Sequence, residues 1–291
     1  MFKGSCVALV TPFVDGEVDY PSLKALVNWH IEQGTECIVP CGCTGEAATM
    51  HHDEHREVMK TVIEEVAGRV KVMAGTGSNS TWEAVELTEY AKEAGADGAL
   101  IITPYYNKPT QEGLFSHYKK IAESVDIPIC LYNVPSRTGV NMEPVTVERL
   151  SRLDNIVALK EAAGKVSQCA EVIRLCEDRI TVLSGDDSLT YPMMAMGAKG
   201  VVSVLANILP AVVRKITGLM LSGDAAAALE IHYKYLPLID TLFIETNPGP
   251  IKEAMGMMKK IKPELRLPLV NLSDFNREKL RSVMRDIGLE V

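Results

Sequence analysis

Short apolar runs recur along the chain, and each stops abruptly in polar or turn-forming residues. They are SCVALVTPF at 5–13, CIVP at 37–40, VKVMAG at 70–75, ALIITP at 99–104, IPICLY at 127–132, IVALK at 156–160, ITVLS at 180–184 and GVVSVLAN at 200–207. These runs are near-continuous rather than alternating, so each fits a strand buried on both faces. The stretches between them carry helical spacing instead. Leu23, Leu26, Val27 and Ile31 share one side of residues 20–33, which Gly34 closes. Further helices are predicted over 53–66, from the cap-like Asn79-Ser80-Thr81 to Gly95, over 111–124 and 166–176, and briefly through Met193 and Met194.

Eight strands starting near 5, 37, 70, 98, 128, 156, 180 and 200, with helical segments between them, predict an α/β fold, a (β/α)8 TIM barrel. A doubly wound sheet binding a dinucleotide or nucleotide would need G-x-G-x-x-G or G-x-x-x-x-G-K-[ST], and neither occurs. The barrel is complete near residue 222. We therefore divide the chain into a catalytic barrel, 1–222, and a C-terminal helical appendage, 223–291, with helices over 225–242, 249–260 and 273–287. LRLPLV at 265–270 resembles a strand, but Pro268 favours a packed linker.

Composition narrows the class. With 291 residues, 47% of them hydrophobic, the chain can bury one large core or two modest ones. A formal charge of −8 argues against nucleic acid or an anionic membrane as the main partner. Seven cysteines, an odd number without zinc-finger spacing, fit a reducing compartment. No run approaches the length of a membrane span, so a cytoplasmic protein is expected.

In a barrel the C-terminal strand ends converge on one mouth. Read off in order, they bring Thr11, Cys43-Thr44-Gly45-Glu46, Thr103 to Asn107, Tyr132, Asn133, Arg137, Lys160, Glu161, Gly185 to Asp187 and Asn207 together. A lysine desolvated at such a mouth loses its proton near neutral pH and can condense with a ketone or aldehyde. A tyrosine can pass the proton, and an arginine fork suits a carboxylate. The set points to a Schiff-base enzyme acting on a carboxylated carbonyl substrate. The competing reading is a lysine with its stem packed and its ammonium in water, among hydroxyls that merely satisfy loop hydrogen bonds.

GCTGE, ITPYYNKPTQEG, YNVPSRTG, ALKEAAG, LSGDDS and ETNPGPIK together resemble the dihydrodipicolinate synthase family, within the wider pyruvate-dependent lyases that include N-acetylneuraminate lyase. The resemblance runs over essentially the whole chain. It implies a Schiff-base-forming carbon–oxygen lyase without cofactor or metal. Such an enzyme condenses pyruvate with L-aspartate 4-semialdehyde in diaminopimelate and lysine biosynthesis. It further implies imine formation at Lys160, proton shuttling by Tyr132, and a Tyr106 that reaches across a tight-dimer interface. Arg137 would receive the semialdehyde carboxylate, Thr44 and Gly45 the pyruvate carboxylate, and Gly185 and Val202 would line the pyruvate pocket. A homotetramer, a dimer of tight dimers, is implied as well.

One place departs from the family pattern. A threonine of the proton relay is usual where this chain has Cys43, and a relay of reduced efficiency is expected. Cys37, Cys41 and Cys43 fit strand-core residues and a relay better than a metal cluster. The resemblance also implies an L-lysine inhibitor site formed by His52, His55, Asn79, Glu83 and Tyr105 with the backbone of Ala48. Ala47 stands where inhibitor-sensitive members usually have serine. Other readings are an aldolase for N-acetylneuraminate or a 2-keto-3-deoxy sugar acid, and a non-catalytic keto-acid binder. Arg137 disfavours the first, and Lys160, Tyr132 and Tyr106 together disfavour the second.

Overall fold

In the computed structural model, which describes residues 1–291, the first strand β1 (Gly4–Ala8) is followed by a small hairpin of β2 (Phe13–Val14) and β3 (Glu17–Val18). Then come β4 (Cys37–Val39), β5 (Lys71–Gly75), β6 (Gly98–Ile102), β7 (Ile129–Asn133), β8 (Ile156–Glu161), β9 (Thr181–Ser184) and β10 (Gly200–Ser203). All except the hairpin pair in parallel and close as β1-β10-β9-β8-β7-β6-β5-β4. This is the expected (β/α)8 barrel, with all eight strands where the apolar runs lie.

The connecting helices are α1 (Tyr20–Glu32), α2 (His52–Val66), α3 (Thr81–Glu93), α4 (Gln111–Ser124), the short α5 (Pro135–Thr138) and α6 (Pro144–Leu150), α7 (Val166–Cys176), α8 (Thr190–Ala195) and α9 (Pro210–Ser222). Beyond them lie α10 (Ala225–Thr241), α11 (Gly249–Met257) and α12 (Asp274–Asp286). The three final helices start within a residue of expectation, and residues 265–270 form no strand. Ser80 is the N-cap of α3, but its side chain caps nothing; its own N–H donates to Ser78 Oγ at 3.1 Å.

Two apolar layers explain the strand composition. Outside the barrel, Val7, Ile38, Val58 and Leu26 share one continuous core with Leu238, Ile251, Met255, Leu280 and Met284 from the last three helices. Inside it, a smaller core contains Cys6, Cys37, Met73, Cys130, Ala158, Leu183 and Val202, capped by Tyr132. Both faces of each strand are therefore dry, which is why the runs lack alternation. No helix is long and apolar enough to cross a membrane.

The hairpin was not anticipated, yet its signal is local. Asp15 and Gly16, at φ 54° and 84°, form its two-residue turn. Asp-Gly is a favoured pair where both turn residues need positive φ. The Glu264 carboxylate accepts the N–H groups of both, at 2.9 and 2.5 Å.

Candidate active site

Strand register creates the centre of the site. Tyr132 of β7 and Lys160 of β8 are Cα partners on neighbouring strands, so both side chains point into the barrel mouth. Lys160 Nζ lies 4.1 Å from the centroid of the Tyr132 ring. Both residues are buried, each 6% exposed. Burial lowers the Lys160 ammonium to about 8, against smaller opposing effects of Cys43 and Cys130. No hydrogen bond or ion pair of the chain ends on this nitrogen. Burial pushes the Tyr132 phenol well above its usual value, and the half-buried Cys43 thiol acts in the same direction. The next residues on the same strands, Asn133 and Glu161, turn outward. There the Glu161 carboxylate accepts from Asn133 and Gln168 at 3.1 Å and from the Ala163 N–H at 2.7 Å.

Gly185 leaves space for the lysine. A Cβ there would come within 3.1 Å of both Cγ and Cε of Lys160 and 2.7 Å of the Ala162 methyl. Val202 is 1% exposed and packs in the same inner core as Tyr132.

Beyond β4 the chain makes a tight turn. Gly45 N–H donates to Gly42 O at 3.1 Å and Glu46 N–H to Cys43 O at 3.1 Å. The Thr11 hydroxyl donates to Gly45 O at 2.8 Å. Thr44 N–H donates to no group of the chain. The Thr44 hydroxyl accepts from Asn247 Nδ2 at 2.9 Å, which leaves its own proton free to donate. Arg137, exposed at the rim in α5, donates through Nη2 to Asn247 O at 3.0 Å. Asn247 thus joins Thr44 to Arg137, a role that reading the chain did not assign to it.

A cavity of about 550 Å³ borders this centre at Tyr132 and Cys43. Cys43, Tyr132, Arg137 and Asn247 line it together with Ala48, His52, His55, Glu83 and Tyr105. Glu83 is paired with His52 Nε2 at 2.8 Å and accepts from the Ser78 hydroxyl. His55 is buried, with Nε2 2.8 Å from Gly75 O, and burial lowers its pKa. Burial raises the Tyr105 phenol, with Glu83 acting in the same direction. Asn79 does not line the cavity; its carbonyl accepts from Asn107 Nδ2 at 2.9 Å. Tyr106 is not gathered into the site: at φ 70° its side chain is 89% exposed. Cys37 and Cys41 are buried core residues, and no three His, Cys, Asp or Glu side chains converge as metal ligands would.

This geometry can be set beside known proteins. The family model described as "Dihydrodipicolinate synthetase family" matches residues 1–287. The 4-hydroxy-tetrahydrodipicolinate synthase of Geobacter metallireducens is 56% identical over 289 residues, covering 99% of this chain and 100% of that protein. The crystal structure of dihydrodipicolinate synthase from Aquifex aeolicus superposes with a TM-score of 0.98 at 49% identity, over 100% of this chain and 99% of that one. The structure of DHDPS from Cyanidioschyzon merolae with lysine bound superposes with a TM-score of 0.96 at 39% identity, over 99% and 98% of the two chains.

Proposed function

The chain belongs to the dihydrodipicolinate synthetase family, and from that premise we propose how its own residues divide the work of the reaction it catalyses. That reaction is the 4-hydroxy-tetrahydrodipicolinate synthase condensation of pyruvate with L-aspartate 4-semialdehyde through a lysine Schiff base, in diaminopimelate and lysine biosynthesis.

The assignment rests on one observation: a buried amine brought down to about 8, with no acceptor of its own, against a phenol ring. Lys160 Nζ attacks the keto carbon of pyruvate. Tyr132 protonates the carbinolamine hydroxyl, water leaves, and the C=N bond forms. Loss of a methyl proton gives an enamine, whose carbon attacks the aldehyde carbon of the semialdehyde. The amino group of the semialdehyde then attacks the imine carbon, closes the ring and releases Lys160 as the free amine. The Thr44 hydroxyl and N–H hold the pyruvate carboxylate; the Gly45 N–H, expected to share that task, already donates to Gly42 O and so shapes the turn instead. Arg137 receives the carboxylate of the second substrate, which its fork suits better than an ammonium would. Gly185 and Val202 shape the pocket around pyruvate.

Cys43 relays protons between Tyr132 and Tyr106 of a second copy. The exposure of Tyr106 on its own chain supports a tight dimer, and we extend this to a cytoplasmic homotetramer of two such dimers. L-Lysine inhibits by binding at Ala48, His52, His55, Asn79, Glu83 and Tyr105, where Glu83 suits its amino group. The cavity that five of these residues, all but Asn79, line together with Tyr132 and Arg137 supports this reading, as does the lysine-bound state of the similar Cyanidioschyzon merolae structure. The 1–222 and 223–291 division is one of topology, since both parts share a core.

Borohydride reduction in the presence of pyruvate, followed by peptide mass analysis, tests the assignment. A reduced adduct on Lys160 is expected; an adduct on another lysine would overturn it. Turnover of pyruvate and semialdehyde coupled to dihydrodipicolinate reductase tests the substrates, and full activity at saturating L-lysine would rule out the inhibitor site.

A further inference from the structure

A fully buried ion pair ties the C-terminal region to the turn that carries Thr44 and Gly45. Glu46 follows Gly45 and sits in left-handed backbone at φ 56°, a conformation that non-glycine residues rarely hold without support. Its side chain and that of Lys252 in α11 are both completely shielded, with Lys252 Nζ 2.5 Å from Glu46 Oε1. Lys252 also donates to Glu264 O at 2.7 Å and lies 4.1 Å from the centroid of the Phe13 ring. The other carboxylate oxygen accepts the Arg266 N–H at 3.1 Å. The Arg266 guanidinium, 4.3 Å from the centroid of the same ring, pairs with Glu54 and donates to Gly16 O at 2.9 and 2.6 Å.

The desolvation of a buried ion pair largely cancels its Coulomb attraction, so apolar residues of similar volume would join these elements as firmly. They would not orient a backbone. Glu46 anchors both ends of its own carboxylate to the C-terminal region. Its N–H closes the turn onto Cys43 O, and its carbonyl takes Thr49 N–H at 3.0 Å and the Thr49 hydroxyl at 2.9 Å. Rotation at Glu46 would swing Thr44 away from Asn247 and Gly45 O away from Thr11.

We propose that Glu46 and Lys252 are positioning residues for the keto-acid carboxylate, holding the Thr44–Gly45 turn in its binding form so that the C-terminal region completes the pyruvate site. The proposal rests on the assignment of that turn to the pyruvate carboxylate. The pair touches no reacting atom, so its loss should appear in KM for pyruvate rather than in kcat.

The test is steady-state kinetics of the full chain with three variants. Thr44→Val checks the assignment itself and should raise KM for pyruvate at least tenfold; an unchanged value would refute that assignment and not the positioning role alone. With Thr44→Val as expected, Glu46→Leu/Lys252→Met removes both charges and should raise KM for pyruvate about tenfold, with kcat within about threefold of the parent and KM for the semialdehyde unchanged. Parental KM for pyruvate in that folded double variant would overturn the proposal, as would a fall in kcat at constant KM. Phe13→Leu keeps the ion pair but removes the ring beneath it, and should raise KM for pyruvate twofold to fivefold. If the double variant does not fold, an unchanged KM in Phe13→Leu overturns the proposal.

Discussion

Two lysines are buried in this molecule in nearly the same way, and their surroundings suit them to opposite roles. Lys160 at the barrel mouth and Lys252 in α11 each have Nζ 4.1 Å from an aromatic centroid, and burial lowers each to about 8. They differ in what accepts their protons. Lys252 donates to Glu46 and to the Glu264 carbonyl, so its lone pair is committed to an ammonium with fixed partners. Lys160 has no such acceptor, and its neighbours are a phenol and a thiol that can themselves carry a proton. Desolvation alone therefore does not identify a nucleophile. Desolvation without a hydrogen-bond partner, beside groups that exchange protons, does.

Exchanging each lysine for methionine should separate the two roles most sharply. Lys160→Met is expected to lose at least about a thousandfold in kcat, as loss of a covalent nucleophile does. Its stability should stay within about 1 kcal/mol of the parent, because an unpaired buried ammonium is removed. Lys252→Met should lose about 3–5 kcal/mol in urea denaturation, because it strands the Glu46 carboxylate in a dry site. Equal stability losses in the two variants would erase the distinction.

The lysine stem also needs room, which Gly185 supplies. Gly185→Ala places a methyl against Cγ and Cε of Lys160 and against Ala162. Misplacing a reacting amine by a fraction of an ångström should lower kcat about ten- to a hundredfold. Crowding should cost about 1–3 kcal/mol of stability. A Gly185→Ala variant with parental kcat would show that the stem can take another path.

The strands and the Tyr132–Lys160 pairing were legible because both follow from local pattern: dry runs that end in polar residues, on neighbouring strands of a parallel barrel. The hairpin has its own signal in Asp15-Gly16, but strands of only two residues leave no apolar pattern to mark it. The Glu46–Lys252 pair was not legible at all. Its members stand 206 positions apart, and a lone lysine or glutamate in sequence reads as surface. Asn247 was hidden likewise, since nothing near it in the chain reveals that it bridges Thr44 and Arg137. Tyr106 marks a different limit: its environment as a relay residue would lie in another copy of the chain.

The pH dependence gives a smaller but cleaner contrast. Only the neutral amine attacks, so kcat/KM for pyruvate should rise tenfold per pH unit up to about 8 and then level, with Lys160 as the titrating group. The sign for stability is opposite to that of an exposed lysine gaining a partner. Lys160, held at about 8 when folded and near 10.5 when unfolded, binds fewer protons in the folded state between those values, so its contribution makes stability rise with pH across that window. Lys252→Met should leave the acidic limb of the rate profile where it is. Movement of that limb would mean that the titration belongs to the wrong lysine.

The smallest expected effect bears on Cys43, the thiol that the proposed proton relay places beside Tyr132. The Cys43 thiol helps to raise the Tyr132 phenol, and a thiol donates and accepts hydrogen bonds weakly. A threonine hydroxyl would hold the Tyr132 proton in a shorter, better directed bond, so Cys43→Thr should raise kcat about twofold to fivefold and Cys43→Ala should lower it. If Cys43→Thr leaves kcat unchanged while Cys43→Ala abolishes turnover, the thiol is a fully adequate relay. What matters beside Lys160 would then be any group able to pass a proton, with hydrogen-bond strength secondary.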